Sequence, residues 1–555
     1  MNLQPIFDLA HICHQKGIKH AVISPGSRNA ALTIAFARHP EIKCYSVPDE
    51  RSAAFIALGM SLKTNTPTVL ICTSGSAALN YAPAVAEAYF NQVPLLILSA
   101  DRPPEWIGQR DGQTIFQADL FGKHVKKSFV YPSLAEGIKA QGHKIINNAI
   151  NTCMAEGMGP VHINIPFREP FYPSQEITYE YNQSLKTIEF PSNISESWKK
   201  ELVQVSKFSK ILIVVGQSQV NPNIIESLSL LTDEYQIPIV ADIISNVNNV
   251  EGIISSQDMF LKSYDNDDLQ PDLLITIGMS VISKSLKLYL RQFKPKAHWH
   301  VRNESTAPDT YKCLTKHFKA DADKFLKELG KSLINTNVES AFNSSWQKIN
   351  SATKVHIEEF RSSSFSDFDG YKKVLASLPA NSDLHLANSM AVRYANAIGL
   401  SPGQRIEVYS NRGTSGIDGS NSTAVGTALM SERPTFLLTG DMAFLYDRNA
   451  FWHNHLPDNL SIVVFNNHGG GIFRMIDGPS QQPELEEFFE TRQLKDAKLL
   501  AVEFEFEYFA CHNESELDQN LATFIKPGKR KILEIFTNAE ESKQAYKELF
   551  RNLSK

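Results

Sequence analysis

The sequence predicts an α/β protein made of three doubly wound parallel-sheet domains. Three observations carry that expectation. At 555 residues the chain is too long for one core. Short Val/Ile/Leu-rich runs recur along it, most of them followed by Gly, Ser, Asn or Asp and then a helical pattern, as buried parallel strands feeding helices do. These runs also fall into three groups. The first group holds runs 20–24, 68–72 and 94–99. The second holds 211–215, 237–241 and 273–277, with a weaker run at 298–301. The third holds 405–409, 435–438, 461–465 and 531–536. Residues 169–193, with Pro170, Pro173 and Pro191, and the serine-rich stretch 362–369 read as linkers. Domains are therefore expected near 1–175, 190–345 and 360–555.

Composition narrows the function classes. Hydrophobic and charged fractions of 42% and 21% are ordinary for a globular protein. A net charge of -5 gives no reason to expect nucleic acid or an acidic membrane surface, so any basic site must be local. The six cysteines are scattered without a C-x-x-C pair, which argues for reduced thiols rather than zinc or disulfides. No secretory signal and no run long enough to span a bilayer is visible, so a cytoplasmic protein is expected.

The most informative segments are two run ends in the last third. Run 435–438 leads into Thr439-Gly440-Asp441, and run 461–465 leads into Asn466-Asn467-His468-Gly469-Gly470-Gly471. The 26 residues from Asp441 to Asn467 suffice for one helical crossover between adjacent parallel strands, whose carboxyl ends are where such sheets bind ligands. Magnesium takes oxygen ligands in an octahedron. Asp441 can supply a carboxylate, Asn467 an amide oxygen and Gly469 a backbone carbonyl, with diphosphate oxygens and water completing the shell. The bland alternative is a pair of capped turns. His468-Gly-Gly-Gly471 also mimics an esterase oxyanion loop, but no G-x-S-x-G elbow accompanies it.

In the first third, Glu50 and Arg51 precede a small-residue helix. Ser24-Pro-Gly-Ser-Arg28 and Thr73-Ser-Gly-Ser76 are further strand-to-helix turns expected on the same sheet edge. Together these residues resemble the thiamine-diphosphate enzymes of the decarboxylase and acetohydroxyacid-synthase type, across the whole chain. Glu50 matches the glutamate that such enzymes offer to the cofactor's aminopyrimidine; Gly440-Asp441 with Asn467 matches the magnesium-diphosphate site. The closer likeness, carried by seven segments in order (23–32, 49–59, 99–105, 283–286, 388–393, 410–419 and 466–473), is to the branch of that family serving menaquinone biosynthesis.

The resemblance implies three domains (pyrimidine-binding, central Rossmann-like and diphosphate-binding). It also implies a carboligase that decarboxylates 2-oxoglutarate and adds the remaining succinyl semialdehyde unit to isochorismate. Thiamine diphosphate and Mg2+ would be the cofactors, with Mn2+ an alternative metal. Ile417 would lie beneath the folded cofactor, Phe473 would flank its thiazolium side, and Ser389 would contact it. Both implied substrates are dicarboxylates and call for fixed cations, for which Arg28, Arg102, Arg393, Arg412 and Lys284 are the matching positions. Ser27, Gln113, Asn388 and Ser389 are the matching polar contacts, with Gln109 or Gln117 as substitutes for Gln113. Met442 and His468 depart from the family pattern, and His468 bears on the charge near the diphosphate.

In this family Glu50 and Asp441 would come from different subunits, so a homodimer or dimer of dimers is expected. The central domain lacks Gly-x-Gly-x-x-Gly and is expected to carry no flavin. The nearest rival is another 2-oxo acid decarboxylase or carboligase of the same family, which needs fewer fixed cations. A non-catalytic nucleotide-binding protein is the rival from a different class; it predicts that Glu50→Gln leaves function intact.

Overall fold

The computed structural model describes residues 3–132, 139–169, 171–172, 180–181, 187, 196–334, 336–401 and 403–551. Among these residues lie three sheets. The first contains β1 His20–Ile23, β2 Lys43–Ser46, β3 Thr68–Cys72, β4 Leu95–Asp101, β5 Lys127–Val130 and β6 Val161–Pro166, in the order β2-β1-β3-β4-β6-β5. The second contains β7 Ile211–Val215, β8 Ile239–Ala241, β9 Leu273–Ile277, β10 Ala297–Arg302 and β11 Lys316–Lys319, in the order β11-β10-β9-β7-β8. The third contains β12 Asp383–Leu386, β13 Glu407–Tyr409, β14 Thr435–Gly440, β15 Leu460–Asn466, β16 Glu507–Cys511 and β17 Lys531–Phe536, in the order β13-β12-β14-β15-β17-β16.

Every strand pairing is parallel, and the three-sheet α/β architecture agrees with the sequence reading. The first and third sheets share one topology: counted from its own first strand, each runs 2-1-3-4-6-5. Both reverse strand order between their first and third strands, which is where doubly wound sheets open a crevice for ligands. The central strands are buried on both faces, so their apolar character is continuous rather than alternating.

One inferred linker needs correction. Only the first part of 362–369 is a connection: Ser366 caps the helix Asp367–Ser377 in a reciprocal capping box with Asp369, and Asp367 is buried. Its serines serve as a helix start rather than a spacer. The other inferred linker, 169–193, falls largely outside the described residues.

The first and third domains meet where the helix Glu50–Thr64 crosses the helix Ser420–Leu429. Ser52 to Ser61 are all buried, because this helix is packed between its own sheet and the other domain. Glycine is required at the crossing. A Cβ on Gly59 would stand 2.0 Å from the Thr423 carbonyl oxygen, and one on Gly426 would stand 2.0 Å from that of Ile56. At the helix end, Lys63 Nζ lies 2.8 Å from both Asp383 Oδ1 and Glu407 Oε2.

Candidate active site

Site residues gather at the carboxyl ends of strands in the first and third sheets. After β1, Arg28 turns inward and is buried beneath the exposed Ser27. Its Nη1 donates to the Phe167 carbonyl at 3.1 Å, and its guanidinium lies 4.2 Å from the Phe171 ring centroid. Arg102 follows β4 and donates to Ser74 Oγ (3.0 Å) and Gln113 Oε1 (3.1 Å). Among the described residues neither guanidinium forms an ion pair with a carboxylate. Burial, and then the charge of Arg102, lowers the pKa of Arg28. Glu169 and Asp101 act in the opposite direction, and two cations so placed would suit an anionic ligand.

Of the glutamines left open by the sequence, Gln113 is the one bonded to Arg102. Gln117 instead holds the turn after β3, where its Oε1 accepts from Gly75 N (2.7 Å) and its Nε2 donates to Ala100 O and Asn164 Oδ1.

Glu50 is the first residue of its helix, capped by the Asp49 side chain, which accepts from Ser52 N at 3.1 Å. Its Oε2 accepts from Asn80 Nδ2 at 3.3 Å. The flanking residues are tied to the third domain, Asp49 by Asn449 Nδ2 (2.7 Å) and Arg51 by Tyr446 O (2.9 Å). Among the described residues, however, no hydrogen bond or ion pair joins Glu50 to Asp441, Asn467 or Gly469.

After β12, Asn388 is a buried hub. Its Nδ2 donates to the carbonyls of Asn411 and Gly416 (both 2.7 Å), and its Oδ1 accepts from Arg412 Nη1 at 2.9 Å. Ser389 sits in the left-handed region (φ 70°), and its carbonyl accepts from Arg393 Nη1. Burial, and then the charge of Arg393, lowers the pKa of Arg412, so these two form a second cation pair. Ile417, on the same loop, packs on the third domain's core.

That loop is clamped by a residue the sequence did not point to. The buried Glu87 carboxylate accepts from Gly413 N (2.8 Å), Thr414 N (2.6 Å) and Thr414 Oγ1 (2.8 Å). An isolated Glu in an Ala-rich helix gave no signal for this role. Lys284 is exposed at the start of the helix Lys284–Gln292. The lysine whose charge is felt alongside that of Arg412 is Lys287; burial is the larger cause of its lowered pKa.

The proposed metal ligands lie on adjacent strand ends, since β14 pairs with β15. Asp441 is buried and begins the helix Asp441–Tyr446. Burial pushes its carboxyl up to about 7, although Gln493 Nε2 donates to Oδ2 at 2.7 Å. Gln493 N donates to the His468 carbonyl at 3.1 Å, so one residue braces both strand ends. Asn467 Nδ2 donates to Asp367 Oδ2 at 3.0 Å, and its Oδ1 is buried without a partner. An orphaned buried carbonyl oxygen beside a buried carboxylate fits a hard cation, which would satisfy both. His468 takes a left-handed turn (φ 65°) that carries the chain into Gly469, where a Cβ would come within 3.1 Å of the Glu490 carbonyl. Phe473 follows at the edge, its ring 5.9 Å from that of Phe489.

Comparison with known proteins adds an independent line. Residues 7–124 match the family model described as thiamine pyrophosphate enzyme, N-terminal TPP binding domain, and 177–386 match that of the middle domain of thiamine pyrophosphate. The chain is 45% identical to the 2-succinyl-5-enolpyruvyl-6-hydroxy-3-cyclohexene-1-carboxylate synthase of Cytophaga hutchinsonii, over 98% of each chain. It is 40% and 38% identical to the synthases of that name from Flavobacterium johnsoniae and Flavobacterium psychrophilum, again over 98% of each.

Proposed function

Since the chain belongs to the family of 2-succinyl-5-enolpyruvyl-6-hydroxy-3-cyclohexene-1-carboxylate synthases, thiamine-pyrophosphate enzymes, we propose that it joins the succinyl semialdehyde unit of decarboxylated 2-oxoglutarate to isochorismate in menaquinone biosynthesis. The observation that carries this reading is the two pairs of crowded guanidiniums, Arg28 with Arg102 and Arg393 with Arg412. A dicarboxylate bound by each would relieve their repulsion.

When bound, thiamine diphosphate supplies the nucleophilic carbon and the electron sink for loss of carbon dioxide. Asp441, Asn467 and the Gly469 carbonyl would hold Mg2+, or Mn2+ in its place, for the diphosphate. The Glu50 carboxyl would hold a proton at the aminopyrimidine. Ile417 and Phe473 would give the cofactor apolar walls that exclude water, and Ser389 would contribute a polar contact. Arg28, Arg102, Arg393 and Arg412 orient substrate carboxylates with Ser27, Gln113 and Asn388, and Lys284 serves at the rim. The Glu87 clamp keeps Arg412 and Ile417 in register with the Asn388 hub.

The active centre is completed between two chains of a homodimer or a pair of dimers. Support comes from Glu50, which among the described residues shares no hydrogen bond or ion pair with the metal ligands of its own chain, and from Trp452, Leu494, Leu499 and Val502, each more than half exposed on the third domain. No described helix is long and apolar enough to cross a membrane, and the cytoplasm is the proposed location.

The purified protein should release carbon dioxide from 2-oxoglutarate and consume isochorismate in step, both only with thiamine diphosphate and Mg2+ present. Turnover of pyruvate instead would retain the family and discard the substrate pair.

A further inference from the structure

Asn467 offers the metal site an oxygen only if its amide faces the right way. The two ends of an asparagine amide are nearly the same size, so packing alone does not choose between carbonyl and NH2. A hydrogen-bond partner must choose. That partner is Asp367, a buried residue at the first turn of the helix Asp367–Ser377, 100 positions away from Asn467. Both Asp367 oxygens are acceptors here, Oδ2 for the amide and Oδ1 for the Thr537 hydroxyl, so the residue selects the NH2 end of the amide and leaves the amide's own Oδ1 pointing away.

Asp367 is itself held in place. Its Oδ1 accepts from Thr537 Oγ1 at 2.5 Å, just beyond β17, and its backbone N–H donates to Ser542 Oγ at 3.0 Å. Gly471 completes the arrangement, because a Cβ there would come within 2.9 Å of Asn467 Nδ2 and crowd the amide. The outcome is the buried, unpartnered Asn467 Oδ1 described above.

We propose that Asp367 is a positioning residue that locks the Asn467 amide with its carbonyl oxygen turned to the metal ion. This rests on the reading of Asn467 as a metal ligand. Partners of this kind, one bond removed from the ion, alter metal affinity by about 10–100-fold when removed. A purely structural role, an acidic residue favouring a helix N-terminus, would act on stability alone.

The test is the affinity for Mn2+ in the presence of thiamine diphosphate, read by electron paramagnetic resonance, alongside the melting temperature of the metal-free protein. Asp367→Ala is expected to weaken Mn2+ binding about 10–100-fold. Asp367→Asn is expected to bind close to wild type, since it keeps one acceptor for Asn467 and can turn its own NH2 to the Thr537 hydroxyl. Ser366→Ala removes the cap of the same helix and is expected to lower the melting temperature without moving the affinity. Should Asp367→Ala fail to fold, Thr537→Val carries the test, since loosening Asp367 should weaken binding in the same direction. Wild-type affinity in Asp367→Ala or Thr537→Val overturns the proposal. So does a loss in Asp367→Asn equal to that in Asp367→Ala, which would assign the effect to charge, or an equal loss in Ser366→Ala. Wild-type protein that binds no Mn2+ beside thiamine diphosphate would instead overturn the metal reading beneath it.

Discussion

A buried side chain in this protein is either paired or held neutral, and His385 shows the cost of the second solution. It is 3% exposed on β12, stacked on Tyr409, and burial depresses its pKa to about 3. Its pKa is therefore lower in the folded state than the ordinary value of about 6.5. The stability it allows is present above that value and is lost as pH falls toward 3, because only the unfolded chain takes up the proton. His385→Phe keeps a flat ring and removes the titration. Urea unfolding at pH 7.5 and 5.5 should show wild type losing about 1.4 kcal/mol more than the variant over this step. Legibility was uneven among the site residues. Asp441 and Asn467 could be read because they end apolar runs at crossover spacing. Asp367 could not, because a serine-rich helix start has the composition of a linker. Glu87 and Gln493 gave no signal, since their partners are backbone groups or residues far away in sequence.

At the scale of elements, the helix Glu50–Thr64 is specified less by amphipathicity than by smallness. Gly426 stands in the interior of the partner helix, where alanine would by itself favour the helix by about 1 kcal/mol. The Cβ would however meet the Ile56 carbonyl at 2.0 Å, and backbone cannot move aside as a flexible side chain can. Overpacking of about 1–3 kcal/mol, or more, outweighs the propensity gain. Gly426→Ala is thus expected to lower the melting temperature by several degrees. Gly330→Ala is the internal control, since its Cβ would touch only Leu230 Cδ2 at 3.5 Å, and it should be neutral or slightly stabilising. A fall for both, or for neither, would refute the crossing argument. The strands that escaped the sequence reading have a common cause. β2 (KCYS), β5 (KSFV), β11 (KHFK) and β16 (EYFAC) are edge strands that open on a charged residue, and β6 (VHINIP) and β12 (DLHL) interleave polar with apolar residues. The run is not confined to central strands, since the edge strands β8 and β13 carry one; what hides a strand is a polar residue that interrupts it.

For the whole molecule, the decisive question is which chain completes which site. Chains carrying Glu50→Gln and chains carrying Asp441→Ala should each be inactive alone. Refolded together in equal amounts, they should recover roughly a quarter of wild-type activity, because half the dimers are mixed and each of these has one intact centre. No recovery would place Glu50 and Asp441 in one chain's site. The shared order of the first and third sheets was invisible in the sequence, because parallel topology constrains burial and crossover length without constraining residue identity. The crossing of the helix Glu50–Thr64 has a consequence for inhibitor design. Gly59, fixed against its own third domain, lies nine residues, about 14 Å, along a rigid rod from Glu50. On the proposed shared site, a small molecule wedged at that seam is expected to shift the carboxylate at the rod's far end, and so to silence the partner chain's chemistry without competing with substrate.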